Sequence, residues 1–332
     1  MENSSPRNAR TVVVGGGTMG ADVAVVLARG GAQVTVVDPH AARRDHLLPH
    51  IAQELAAAGQ ATHAGPVQVC ASLQDVDWSG VVLVVECITE QLAAKQKLFA
   101  ELETVAPPNA VLASNSSGFP ISAIAQGLGT AQRMLGLHFF MPAHLVPLVE
   151  VVLGERSDPA LGTWLHAFMR GCGSVPVLVK KDKPGFLANR MQHALSREAF
   201  ALIDEGIASP EDVDAAVRFG FGFRFLAAGP VLQRDHAGIE VHTAAAATMY
   251  PTLSNTDVPA QALRDKVAQG QLGMKTGKGF FDWPEDRKQA ERARYDTLLR
   301  QGLALLASEL PTIEPPTATS PTDTPSTAGA RA

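Results

Sequence analysis

Between Thr11 and Lys181 the chain alternates short β-branched runs with alanine-rich stretches. Apolar runs without polar alternation read as strands buried on both faces, and the intervening stretches as crossover helices, the pattern of a doubly wound, mostly parallel sheet. Strands are expected at Thr11–Val14, Val34–Val37, Val81–Val85, Val111–Ala113, Met134–His138, Leu148–Leu153 and Val175–Val179. Met19, Val23, Val26 and Leu27 recur at helical spacing between the first two, and Gly30 and Gly31 close that helix. After Asp182–Gly185 the strand-like runs cease. Phe186 to Ile207 has apolar residues every three or four positions. Ser209-Pro210-Glu211-Asp212 then carries the cap, first-turn proline and acidic start of another helix, leading into Val213 to Phe219. The expected architecture is an α/β domain over residues 1–182 and an all-α domain over 183–310. Beyond Glu309 the chain is rich in Pro, Thr, Ser and Ala, so 311–332 is expected to be a disordered tail.

A length of 332 residues suits two domains, each large enough for its own core. The formal charge of −5, with Lys and Arg dispersed, argues against a nucleic-acid partner and for a small-molecule substrate. Cys70, Cys87 and Cys172 lie far apart, as in a reduced protein without a disulfide framework or a cysteine metal site. No apolar stretch reaches membrane-spanning length and the N-terminus lacks a leader pattern, so a cytoplasmic location is expected. His46 and His50 stand four apart on an expected helix, but no third ligand is evident, and no metal site is expected.

The first chemical signal is Val12-Val13-Val14-Gly15-Gly16-Gly17-Thr18-Met19-Gly20. A G-x-G-x-x-G spacing between a strand and a helix is a dinucleotide loop: Gly15 for the tight turn, Gly17 for close approach of a pyrophosphate, Gly20 for packing helix on strand. Thr18 and Met19 open the helix whose free N–H groups face the anion. Asp38 ends the second strand, 18 residues after Gly20, where a carboxylate accepts from ribose hydroxyls and repels a 2′-phosphate. The fold is thus expected to be Rossmann-type, with NAD preferred over NADP despite Arg43 and Arg44 nearby.

Alcohol oxidation needs a base and a group that orients it. Ser114-Asn115-Ser116-Ser117 follows one strand, His138 ends another, and Glu150 sits inside Leu148–Leu153, where a carboxylate is costly unless paired. A histidine is an economical partner.

The glycine loop with Asp38, Val85–Glu90, Ala113–Ser117, Gly136–Phe140, Leu148–Val151 and Lys181–Arg190, in this order and spacing, resemble the L-3-hydroxyacyl-CoA dehydrogenases from Arg10 to Trp283. Gly273–Phe281 resembles that family's closing signature. The resemblance implies His138 as general base, Glu150 as its orienting carboxylate, and Ser117 and Asn189 as partners of the substrate oxygens. It places Glu90, Lys95 and Asn115 near the cofactor and implies a homodimer through the helical domain. Burial in that dimer is also the ordinary explanation for Ala244–Ala247 with Val241 and Met249.

The leading expectation is oxidation of a (3S)-3-hydroxyacyl-CoA, in the manner of 3-hydroxybutyryl-CoA dehydrogenases of fatty acid metabolism. Four departures keep an alternative open. Met141 and Gly118 replace polar residues of the family pattern, the excursion from Pro39 to about His63 is short, and Phe223–Pro230 brings in Arg224. These features resemble the branch of gulonate, carnitine and pyridine-carboxylate dehydrogenases, in which Arg224 would hold a free carboxylate. A non-catalytic, crystallin-like role is the third reading, and the intact His138, Glu150, Ser117 and Asn189 argue against it.

Overall fold

The computed structural model describes residues 4–314. Eight strands, β1 (Arg10–Val14), β2 (Gln33–Val37), β3 (Val67–Cys70), β4 (Val81–Glu86), β5 (Val111–Ser114), β6 (Met134–Phe139), β7 (Leu148–Leu153) and β8 (Val175–Val179), form one sheet. Their order is β3-β2-β1-β4-β5-β6-β7-β8. The first six run parallel, β7 pairs antiparallel with β6, and β8 follows β7 in parallel. The strand order reverses between β1 and β4, the crevice at which doubly wound sheets bind ligands.

Helices α1 (Thr18–Arg29), α2 (Ala41–Ala57), α3 (Leu92–Val105), α4 (Ile121–Ile124) and α5 (Pro159–Gly171) cover the sheet. One apolar layer gathers Val23, Val26 and Leu27 with Leu165 and Phe168; the other gathers Phe99, Leu102, Ile121 and Ile124. Every residue of α1 from Gly20 to Ala28 is buried, so this helix is enclosed on all sides. The seven expected strands are present, and Arg10, Gln33, Glu86, Ser114 and Phe139 extend them. The eighth, β3, escaped expectation: it has four residues, lies at the sheet edge and exposes Gln68, as short edge strands do.

The second part of the chain holds α6 (Ala188–Asp204), α7 (Pro210–Ala216), α8 (Gly222–Arg224), α9 (Leu232–Ala237), α10 (Ile239–Met249), α11 (Gln261–Ala268) and α12 (Glu285–Leu305). Ser209 caps α7 as expected, its hydroxyl accepting from the Asp212 N–H. The helix does not continue regularly to Phe219, because a π turn follows Ala216 and Gly220 leaves helical geometry. Isolated bridges joining Gly273, Lys278 and Asp282 are the β structure among the described residues here. None of these seven helices buries a residue within the single chain.

The C-terminal end returns to the sheet domain. Arg300 of α12 bonds Glu54 of α2 at 2.6 Å, Ile313 packs at Gly173, and Arg7 donates to the Glu314 carbonyl. The first four residues of the expected tail therefore lie against the α/β domain. Positions 315–332 lie outside the described residues.

The loop between β1 and α1 explains its glycines separately. Gly15 has φ +104°, and a Cβ on Gly20 would stand 1.7 Å from the Gly15 carbonyl oxygen, whereas one on Gly17 would meet nothing within 4 Å. Gly20→Ala is therefore expected to cost about 1–3 kcal/mol by overpacking. Gly17→Ala should leave thermal stability nearly unchanged while weakening NAD binding. Thermal unfolding and NAD titration of the two variants check this opposition.

Candidate active site

The glycine loop lies at the carboxyl edge of β1. Gly17 caps α1 without a side-chain hydrogen bond, which leaves first-turn N–H groups for an anion. Thr18 is exposed and Met19 half-buried at that turn. Asp38, just past β2, is buried; its Oδ2 accepts from the Gly16 N–H and its Oδ1 from the His40 N–H, both at 2.8 Å. Arg43 stands 3.4 Å from the same Oδ2. Asp38 thus ties the second strand to the loop, and each oxygen keeps acceptor capacity for a hydroxyl. The open space at Gly17, the uncapped helix start and Asp38 together fit a dinucleotide.

The antiparallel register sets His138 of β6 directly opposite Glu150 of β7. His138 Nδ1 lies 2.6 Å from Glu150 Oε2, with both side chains buried. Phe140 and Phe186 flank the imidazole at 4.6 and 5.6 Å between ring centroids. Glu150 Oε1 accepts from the N–H groups of Leu187 (3.1 Å) and Ala188 (2.8 Å), at the start of α6. Burial by itself would raise the Glu150 pKa. The hydrogen bonds from His138, Ala188 and Leu187 outweigh it and hold the carboxyl below its ordinary value, so the group is a carboxylate. One residue further along, half-buried Asn189 opens α6 beside the dyad.

A second buried network escaped sequence reasoning. Lys95 of α3, only 1% exposed, donates to Glu86 Oε1 at 2.6 Å and lies 3.2 Å from Glu90 Oε2. Glu86 Oε2 accepts from the Ser114 hydroxyl, and the Ser116 hydroxyl donates to Glu90 Oε1, both at 2.6 Å. The N–H groups of Ser117 and Gly118 donate to the same Glu90 oxygen. Burial raises the Glu90 pKa, but Ser116, Lys95 and Gly118 lower it further and leave it below the usual value.

The ammonium of Lys95, expected near the cofactor, stands between the carboxylates of Glu86 and Glu90. Glu90 itself is exposed and fixes the Ser116–Gly118 turn. Ser117 is exposed on that turn, and Asn115 Oδ1 accepts from the Phe139 N–H, joining the ends of β5 and β6. The signal for Glu86 was available, a carboxylate ending an otherwise apolar run, as for Glu150.

Arg224, at the end of α8, is exposed, and its guanidinium makes no hydrogen bond or ion pair among the described residues. A cleft of about 990 Å³ runs along α6, lined by Asn189, Arg190, His193 and Arg197. His46 is exposed on α2, whereas His50 meets Asp22 and His144, a grouping the spacing of His46 and His50 did not suggest. Burial pushes the thiols of Cys87 and Cys172 up, so both stay protonated. No described helix is long and apolar enough to cross a membrane.

The dinucleotide loop at the switch point of the sheet defines an NAD-dependent oxidoreductase acting on CH–OH groups. The chain belongs to the 3-hydroxyacyl-CoA dehydrogenase family: the family models for the NAD binding domain and the C-terminal domain match residues 10–183 and 185–283. It is 35% identical over 290 residues to a 5-formyl-3-hydroxy-2-methylpyridine 4-carboxylate 5-dehydrogenase of Mesorhizobium japonicum, covering 85% of this chain and 94% of the relative. A crystal structure of a dehydrogenase of that kind, described as an NAD+-dependent dismutase, superposes with a TM-score of 0.84 at 31% identity, covering 89% and 98% of the two chains. The (S)-3-hydroxybutyryl-CoA dehydrogenase of Ralstonia eutropha gives 0.67 at 29% identity, covering 83% and 99%.

Removing one partner of a buried ion pair strands the other charge, at a cost of about 3–5 kcal/mol. Lys95→Met is therefore expected to lose that much stability in urea unfolding, and adding Glu86→Leu to Lys95→Met should recover a large part of it.

Proposed function

We propose that the chain oxidises the hydroxyl-bearing carbon of a small carboxylated substrate, with His138 as general base. The observation that carries the reading is the buried His138–Glu150 pair. With Nδ1 turned to Glu150, a neutral imidazole keeps its lone pair on Nε2, the nitrogen that receives the substrate hydroxyl proton. NAD, when bound at the glycine loop, supplies the hydride acceptor. Glu150 fixes the ring and stabilises the imidazolium that forms, while the enclosing Phe140 and Phe186 rings keep water from the base. Ser117 and Asn189 hold the substrate oxygen.

The small-acid substrate is supported by Gly118 and Met141, which replace polar residues of the family pattern, and by the greater likeness to the pyridine-carboxylate enzyme; on this reading Arg224 would hold the carboxylate. The second reading is oxidation of a (3S)-3-hydroxyacyl-CoA, favoured by the presence of Ser117 and Asn189 together with the dyad. NADH formation with a panel of free hydroxy acids beside 3-hydroxybutyryl-CoA separates the two. Turnover of free acids, with Arg224→Ala raising their KM, supports the first reading, and turnover of the thioester alone overturns it. In either case His138→Ala should lower kcat by about 10²–10⁴-fold while leaving NAD binding intact.

The helical domain is proposed to form a homodimer. Phe219, Phe223, Ile239, Val241 and Met249 are all more than half exposed in the single chain, more apolar surface than an isolated domain ordinarily leaves in water. Light scattering of the purified protein should give twice the chain mass, and Val241→Glu should shift it toward the monomer.

A further inference from the structure

Away from the dyad, three elements converge on one buried carboxylate. Asp22 sits in the otherwise apolar α1 and is 2% exposed. Its Oδ1 lies 3.0 Å from His50 Nε2 of α2 and 3.0 Å from His144 Nδ1, in the loop joining β6 to β7. Its Oδ2 accepts from the Ala143 N–H at 3.1 Å. The three candidate ligand atoms all lie within 4.8 Å of one another.

His144 Nδ1 decides what this grouping is for. It is buried and makes no hydrogen bond of good geometry, although Asp22 Oδ1 lies 3.0 Å away. A buried imidazole nitrogen without a partner is costly, and an atom placed between the three groups would satisfy it. On the far side of the ring, Nε2 lies 3.1 Å from Glu54 Oε2, where a carboxylate backs a metal-bound imidazole. Glu54 is in turn held by Arg300 at 2.6 Å, and the other nearby guanidinium, Arg29, is turned onto the carbonyls of Cys172 and His144.

We infer that Asp22, His50 and His144 form a binding site for a divalent transition metal of the zinc class. Two imidazoles and a carboxylate suit that class, and ligands about 2.1 Å from a tetrahedral zinc stand roughly 3.4 Å apart, close to the spacing here. Three protein ligands leave one coordination position open. The metal pins α1 and α2 to the loop between His138 and Glu150. The site is independent of the proposed substrate.

The test uses the full-length protein, dialysed against a chelator and then loaded with zinc chloride or cobalt chloride alone. Wild type is expected to retain one equivalent of zinc through gel filtration, to develop cobalt ligand-field absorption in the visible range, and to unfold at a higher temperature when loaded. His144→Ala and His50→Ala should each abolish retention, and Glu54→Gln should weaken it about 10–100-fold. His50 is half-exposed, so its variant decides the matter if the His144 variant does not fold. Failure of wild type to retain zinc, or retention undiminished in His50→Ala, overturns the assignment and leaves an ion-paired Asp–His cluster.

Discussion

A carboxylate cut off from water must find its partners inside the protein, and Glu150 finds them on two other elements at once. Its own strand β7 holds it opposite His138, β6 supplies that histidine, and the start of α6 supplies two N–H groups. The strand reversal is what permits this. Phe140–Pro147 is too short to carry a crossover helix, so β7 can only return beside β6 antiparallel, and a direct cross-strand pair follows. In a parallel pair the same residues would need a long connection between them. The dyad and the junction between the domains are therefore consequences of one loop length and one buried charge.

The same constraint recurs along the sheet. Asp38 is satisfied by the glycine loop, Glu86 by Lys95 and Ser114, and Asp22 by the Ala143 N–H and His50. Such groups add little net stability compared with well-packed apolar side chains, but each is costly to strand without its partner. They act as locks on position. Glu86 and Lys95 hold the turn after β5 through Ser114, Ser116 and Glu90, and so set where Ser117 stands.

How much was legible in the sequence follows from the same physics. The parallel strands were readable because burial on both faces demands unbroken β-branched runs, and the cofactor loop because its glycine spacing falls between a strand and a helix, with Gly15 and Gly20 at positions that leave no room for a side chain. Glu150 was readable as a charge inside an apolar run. Glu86 and Asp22 carry that signal too, but their partners are far from obvious: Lys95 lies on an amphipathic helix, and His144 follows a proline in a loop. β3 was missed because an edge strand needs only one buried face and few residues. The pair His46 and His50 shares a helix face by spacing, yet only His50 points to the sheet domain's buried carboxylate, since helical periodicity says nothing of what lies opposite.

The division of labour between the two parts of the chain follows from where their order comes from. The α/β domain has a complete core of its own, whereas none of the helices α6 to α12 has a fully buried residue within one chain. Asn189 follows directly on the two N–H groups gripped by Glu150, so its position is set by the sheet rather than by the distal helices. Arg224 has no such anchor. Because the His138–Glu150 pair is held by β6, β7 and the start of α6, a substitution in Phe223–Pro230 is expected to leave its geometry unchanged.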